Sequence, residues 1–200
     1  MYRYTKAAVF VAFLGLGAAS SVQAQTLPVS IELRGGAAIP TGDWSESDMV
    51  DNALGFGAAV RFSPAPLVGV YAGWDSFTFD IGDGGDLGDG DTSLKDSAFR
   101  LGAELKAPVS VVPVSPFVSA GLVYGKIKYE LEGDSGTLGF ESDSSFGFEG
   151  AVGVEFGAGP VALRPAVGYR TRSVEIDAAE ASAEEDISYF TLVLGVSLKP

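Results

Sequence analysis

Eleven charged residues stand in otherwise apolar and glycine-rich stretches: Glu32, Arg34, Arg61, Asp75, Arg100, Glu104, Glu149, Glu155, Arg164, Arg170 and Arg172. Carboxylates and guanidiniums mixed in this way can pair with one another, hold hard cations, or relay a proton between two carboxyl groups. The chain has no histidine and no cysteine. Ser-His-Asp triads, catalytic thiols, thiolate zinc sites and disulfides are therefore excluded. Only an all-carboxylate site would be left for catalysis, and the expectation is a protein that is not an enzyme. A second group, Asp83, Asp86, Asp89 and Asp91, lies among the glycines of DIGDGGDLGDGD. Carboxylates so spaced suit Ca²⁺, but the spacing is not that of an EF-hand and does not repeat as in a calcium β-roll. A solvated loop is expected there, with a surface Ca²⁺ as the alternative and no other cofactor.

The elements that carry the eleven charges alternate with period two, which places successive side chains on opposite faces of a strand. Eight strands are expected: Val29 to Ile39, Ala53 to Phe62, Leu67 to Phe79, Ser97 to Lys106, Phe117 to Glu130, Phe146 to Phe156, Val161 to Val174, and Ile187 to Lys199. The sixth is typical, with Phe146, Phe148, Val152, Val154 and Phe156 opposite Glu149, Ala151, Gly153 and Glu155. In the third, Phe77 and Phe79 fall out of phase with Val68, Val70, Ala72 and Trp74, and a bulge near Asp75 would restore them. The fifth sets Val123, Ile127 and Tyr129 against Tyr124, Lys126, Lys128 and Glu130, with its first half apolar on both faces.

Short connections (SPAP, APVSVVPVS, GAGP) alternate with long polar ones. In an up-and-down antiparallel order this places every long loop on one rim, and the short turns and both termini on the other. The long connections, taken to include Asp96, Glu130, Glu132, Glu141 and Asp186, contain twenty-one of the twenty-six acids. The fourth of them, EIDAAEASAEED, reads as a short helix or coil. One rim is thus strongly acidic.

The charged faces also carry the glycines. An eight-stranded barrel has room inside for side chains and little else, and small residues beside each long charged group supply that room. Turning these faces outward into hydrocarbon would cost about 2–4 kcal/mol for each Arg or Lys near the midplane. The charges are therefore expected inside as a paired network that fills the lumen, because an unpaired buried charge is expensive; in a small gated pore, the alternative, pairs such as Glu32–Arg34 or Glu149–Arg170 would exchange partners. Trp44, Phe62, Trp74, Phe77, Phe79, Tyr129, Phe146, Phe156, Tyr169 and Phe190 fall near strand ends and are expected to form two interfacial aromatic girdles.

Residues 1–24 have Arg3 and Lys6 ahead of an apolar run from Ala7 to Ala19, then Val22 and Ala24 before Gln25. This pattern predicts a cleaved secretory signal peptide, too short in its apolar run to span a bilayer. Losing its two bases and no acid takes the net charge from −13 to −15, which makes nucleic acid an implausible partner.

The stretch FGFEGAVGVEFGAGPVALRPAVGYRTR, Phe146 to Arg172, resembles the small outer-membrane β-barrels of the OmpA, OmpX and opacity-protein type, and the resemblance extends over residues 25–200. It implies an all-β, eight-stranded up-and-down transmembrane barrel in the bacterial outer membrane, with extracellular loops and periplasmic termini. The chain departs from the family at its end, where Leu198 is followed by Lys199 and Pro200 instead of a terminal aromatic residue. The function expected is structural, adhesive or surface recognition by a monomer. Its partners would be the lipid bilayer, lipopolysaccharide reached through divalent cations, and an extracellular ligand of the loops. The alternatives are a narrow pore for ions or small solutes and a secreted lipocalin-like barrel.

Overall fold

A computed structural model of the chain describes residues 28–42, 50–81, 92–107, 114–133, 136–178 and 181–199. The expected signal peptide, Trp44, and the four aspartates Asp83, Asp86, Asp89 and Asp91 lie outside the described residues. The elements are β1 (Val29–Thr41), β2 (Ala53–Ala65), β3 (Val68–Ile81), β4 (Thr92–Lys106), β5 (Val114–Gly133), β6 (Gly136–Glu141), β7 (Ser145–Ala158), β8 (Val161–Ala178) and β9 (Ala181–Leu198).

Neighbours in the chain pair antiparallel, except β6 and β7. β1 also pairs with β9, β4 with β5, and both β6 and β7 with β5, so the sheet closes into a ring of eight staves in which β6 and β7 share one position. Closure removes the free strand edges that would otherwise leave backbone amides unpaired. Between the pairs Gly125↔Ser145 and Lys128↔Glu141, β5 advances three residues while the facing chain advances four. This is a one-residue bulge, pinned by the Ile127 amide donating to Ser142 Oγ at 3.0 Å, and it exchanges the inward and outward faces above it. The β7–β8 ladder is interrupted between Gly153↔Ala166 and Phe156↔Leu163. The interruption contains Pro165, which has no amide proton to give. Gly159 adopts φ 63° in the tight β7–β8 turn, a left-handed conformation that glycine takes without steric cost.

The outer wall is apolar: Leu33, Leu54, Phe56, Leu101, Phe148, Val152, Leu163, Leu194 and their neighbours are exposed, while the charged partners on alternate positions are buried. A soluble lipocalin-like barrel would have the opposite arrangement. On β7 the apolar outward positions run from Phe146 to Phe156. That is about 33 Å of strand, or about 25 Å of height at a tilt near 40°, the height of a bilayer-spanning apolar band. The register aligns an outer row of rings, Trp74↔Phe99, Phe99↔Tyr124 and Tyr124↔Phe146, with a second pair at Tyr169↔Phe190. The Tyr124 and Phe146 centroids are 4.6 Å apart.

Several expectations are corrected. No bulge occurs near Asp75, because β3 pairs with β4 without interruption from Val68 to Ile81. Phe77 and Phe79 therefore stay in phase with Asp75 and point inward, fully buried, so neither belongs to a girdle. Tyr129 packs partly buried against the same inner cluster. In β5, Val123 and Ile127 face inward while Lys126 and Lys128 lie on the outer wall. Asp96 is a buried strand residue of β4. The third and fourth long connections are largely strand, since β5–β6 pair as far as Gly133↔Gly136 and β8–β9 as far as Ala178↔Ala181.

Val152, half-way down the outer wall of β7, supplies a test of the inside-out arrangement. Val152→Arg is expected to lower the free energy of folding into lipid vesicles by about 2–4 kcal/mol, read from denaturant titration of tryptophan fluorescence. An unchanged midpoint would place β7 away from lipid.

Candidate functional site

The inward charges lie in tiers along the barrel axis. Glu104, Arg100 and Asp96 follow one another up β4 at intervals of four residues, about 13 Å apart along the strand, and each belongs to a different tier. All eleven residues singled out in the sequence occupy inward positions.

The tier beside the short turns contains Glu32, Glu104 and Glu155. Arg61 donates to Glu32 at 2.9 Å and to Glu104 at 2.7 Å. Arg164 reaches all three acids, at 2.9 Å from Glu32 and 2.5 Å from Glu104, and its guanidinium also lies over the Phe117 ring at 4.2 Å. Lys106 and Lys199 each donate to Glu155 at 2.8 Å.

The middle tier has two acids and three guanidiniums. Asp75 is contacted by Arg34, Arg100 and Arg170, the last two at 3.1 and 2.7 Å. Glu149 is held by Arg100 at 2.7 Å and Arg170 at 2.9 Å, and Tyr71 donates to it at 2.7 Å. The Tyr71 ring also carries Arg61 and Arg100, 5.2 and 5.1 Å from its centroid. Gly102 and Gly121 make room for this tyrosine, since a Cβ at either would stand 2.4 or 2.6 Å from its hydroxyl. Above, Asp96 accepts from Arg172 and from Tyr189, each at 2.8 Å, and Arg170 donates to Tyr189 at 3.0 Å, so the upper and middle tiers are joined. A lumen cavity of about 30 Å³ beside the middle tier is lined by Glu32, Arg34, Arg100, Glu149, Arg164 and Arg170, among others. It has room for water-sized occupants.

Among the described residues the rim half of the lumen is mainly apolar, with Tyr189 joining it to the charges below. Ala38, Ala53, Phe77, Phe79, Leu94, Ile127, Val174, Ile187 and Tyr189 form a buried apolar cluster on the long-hairpin side of the charges. The Phe79 and Tyr189 centroids are 5.4 Å apart, edge to face. The lumen thus contains ion pairs below and a hydrocarbon plug above.

Two features of this pairing differ from the sequence expectation. Glu149–Arg170 form a direct pair, but Glu32 and Arg34 do not: Glu32 pairs with Arg61 and Arg164, and Arg34 with Asp75. Side chains two apart on one strand point the same way in parallel, whereas staves across a narrow barrel aim at each other. Tyr71, Asp96 and Tyr189 belong to the network although the sequence reading did not place them there. Their inward period-two positions were the available signal for the two tyrosines. Among the described residues no group of acids is arranged to hold a metal ion.

The profile of the outer membrane protein beta-barrel domain matches residues 8–199 of the chain. The chain belongs to the outer membrane protein beta-barrel family. Its location is accordingly the bacterial outer membrane. Among solved structures this barrel is similar to Neisserial surface protein A (TM-score 0.60, 15% identity, 86% of this chain and 97% of that one). It is similar also to OprG from Pseudomonas aeruginosa (0.55, 15%, 90% and 100%) and to outer membrane protein W of E. coli (0.51, 18%, 86% and 97%). At these identities the likeness is one of fold. No curated protein sequence matches it.

The middle tier of this outer-membrane barrel depends on Asp75. Asp75→Asn leaves three buried guanidiniums without their shared anion and is expected to cost about 3–5 kcal/mol, seen as a lower temperature for loss of the compact, unboiled gel band. Glu141→Gln, on an exposed hairpin, should leave that temperature nearly unchanged. Equal effects would mean that the lumen pairs contribute no more than surface ones.

Proposed function

We propose that this barrel is a non-enzymatic display platform of the outer membrane, closed to flow, whose long hairpins engage partners outside the cell. The observation that carries this reading is the filling of the lumen: ion pairs occupy it from the short turns to Asp96, and the apolar cluster occupies it from there to the hairpins. A plugged barrel transports little, so its useful surface is the rim. On this reading the hairpins are extracellular and the short turns periplasmic, as the length asymmetry of small outer-membrane barrels favours. The acids in and around the hairpins supply the chemistry for cation-bridged contact with lipopolysaccharide or for recognition of a basic surface, and the barrel works as a monomer.

One observation favours a second reading, a narrow pore. Arg170 divides its bonds between Asp75 and Glu149, and Asp75 is shared by three arginines, an arrangement in which partners could exchange. Planar-bilayer recording separates the two: the wild-type barrel is expected to be silent, and Phe77→Ser with Phe79→Ser to stay silent as well while the ion-pair tiers below the plug remain. Reproducible conductance of the wild type would favour the pore. Orientation is tested on whole cells, where a membrane-impermeant maleimide should label Asp51→Cys on the hairpin rim and not Ala65→Cys at a short turn. The reverse labelling would invert the proposed topology.

A further inference from the structure

The tiers of the lumen differ in their balance of charge. The tier beside the short turns sets Glu32, Glu104 and Glu155 against Arg61, Lys106 and Arg164, with Lys199 half-exposed at its rim. The upper tier sets Asp96 against Arg172. Both are matched one for one inside the lumen. The middle tier sets Asp75 and Glu149 against Arg34, Arg100 and Arg170, and among the described residues no third carboxylate pairs with these arginines.

The rest of the chain is poorly placed to supply one. The short connections contain no acid, and the remaining acids of the sequence belong to the long connections and hairpins. Between the middle tier and the hairpins stands the apolar cluster of Phe77, Phe79, Leu94, Ile127 and Ile187. The middle tier therefore carries one uncompensated positive charge, in an interior where an unpaired ion is strongly unfavourable.

This excess coincides with the lumen cavity. Arg34, Arg100 and Arg170 all line it, together with the hydroxyl-bearing Ser119 and Thr191. Arg100 and Arg170 are only 6% and 3% exposed. Arg100 Nη1 and Arg170 Nε, both buried, have no hydrogen-bond partner among the described residues. The two carboxylates in the lining are already engaged, Glu149 by Arg100, Arg170 and Tyr71, and Glu32 by Arg61 and Arg164. The volume of about 30 Å³ is roughly twice what a single water requires. It admits one small spherical anion and excludes a polyatomic organic one.

A buried N–H without an acceptor is destabilising, and so is the unmatched charge. Water corrects only the first of these, whereas a monovalent anion that accepts hydrogen bonds corrects both. We propose that the cavity beside Arg100 and Arg170 is a halide site, filled by chloride in the native barrel as a fixed counter-ion of the middle tier. The inference is independent of which rim faces outward and of what the hairpins bind. Because the plug lies on one side of the cavity and the ion pairs of the lower tier on the other, the ion would be taken up as the barrel closes.

The test therefore loads the ion during folding. The full chain is refolded from urea into detergent in sodium bromide and crystallised, and anomalous scattering is recorded at the bromine edge. One peak is expected inside the lumen, within hydrogen-bonding reach of Arg100. In parallel, equilibrium urea titrations are run with chloride exchanged for gluconate, which is too large for the cavity, at constant ionic strength. Above saturation the folding equilibrium constant should rise about tenfold for each tenfold increase in chloride. Ser119→Asp, which places a carboxylate in the cavity wall, is expected to fold and to lose both the bromide peak and the chloride dependence. Arg34→Met, which removes the excess cation, should lose both as well and keeps the test decisive if the aspartate variant does not fold. Lys199→Gln should retain both. A heat-dependent gel shift shows that each variant is folded. Stability that does not respond to chloride, or a lumen without a bromide peak, would overturn the proposal. A peak that persists in Arg34→Met, with no chloride dependence in the wild type, would mean an adventitious ion only and overturn it too.

Discussion

In hydrocarbon a backbone amide can bond only to another backbone group, and this requirement governs the whole molecule. Closing β1 onto β9 and β4 onto β5 satisfies it by leaving no edge. Eight staves then enclose a lumen barely wider than two facing side chains, so every inward position is crowded by its opposite numbers. Glycine is needed wherever a tyrosine or arginine crosses the axis, as Gly102 and Gly121 are beneath Tyr71. Charge placed inside must be matched within the same narrow layer, because the low dielectric punishes any ion left alone.

Most of this was legible in the sequence where the two faces of a strand differ in polarity. Glu149 and Glu155 against Phe148 and Val152 admit only one orientation, and the structure has it. Legibility failed where both faces are apolar. Period two says that Phe77 and Phe79 share the face of Asp75, but the assumption that aromatic means outward suggested a bulge that the unbroken β3–β4 register does not contain. The same assumption misplaced Tyr129. The lysines of β5 were set on the face opposite Ile127, and only the structure shows that this is the outer one.

Partners within the lumen were harder still, since they depend on how tilt and stagger bring distant staves to one height. Asp96 lies beside polar residues in a sequence that looks like loop, and only the length of β4 brings it under Arg172 and Tyr189. Glu141 is a sharper case. Its outward position follows from one inserted residue near Ser142, and no pattern of hydrophobicity marks that insertion.

The apolar plug has a bearing on assembly. Its members come from β1, β2, β3, β4, β5, β8 and β9, so no hairpin or half-closed sheet can bury it. The area it removes from water is gained only when the first and last staves meet. Stabilisation that arrives after the transition state slows unfolding without hastening folding. A barrel that seals itself last in this way should, once made, persist by kinetic resistance to opening more than by the depth of its free-energy well.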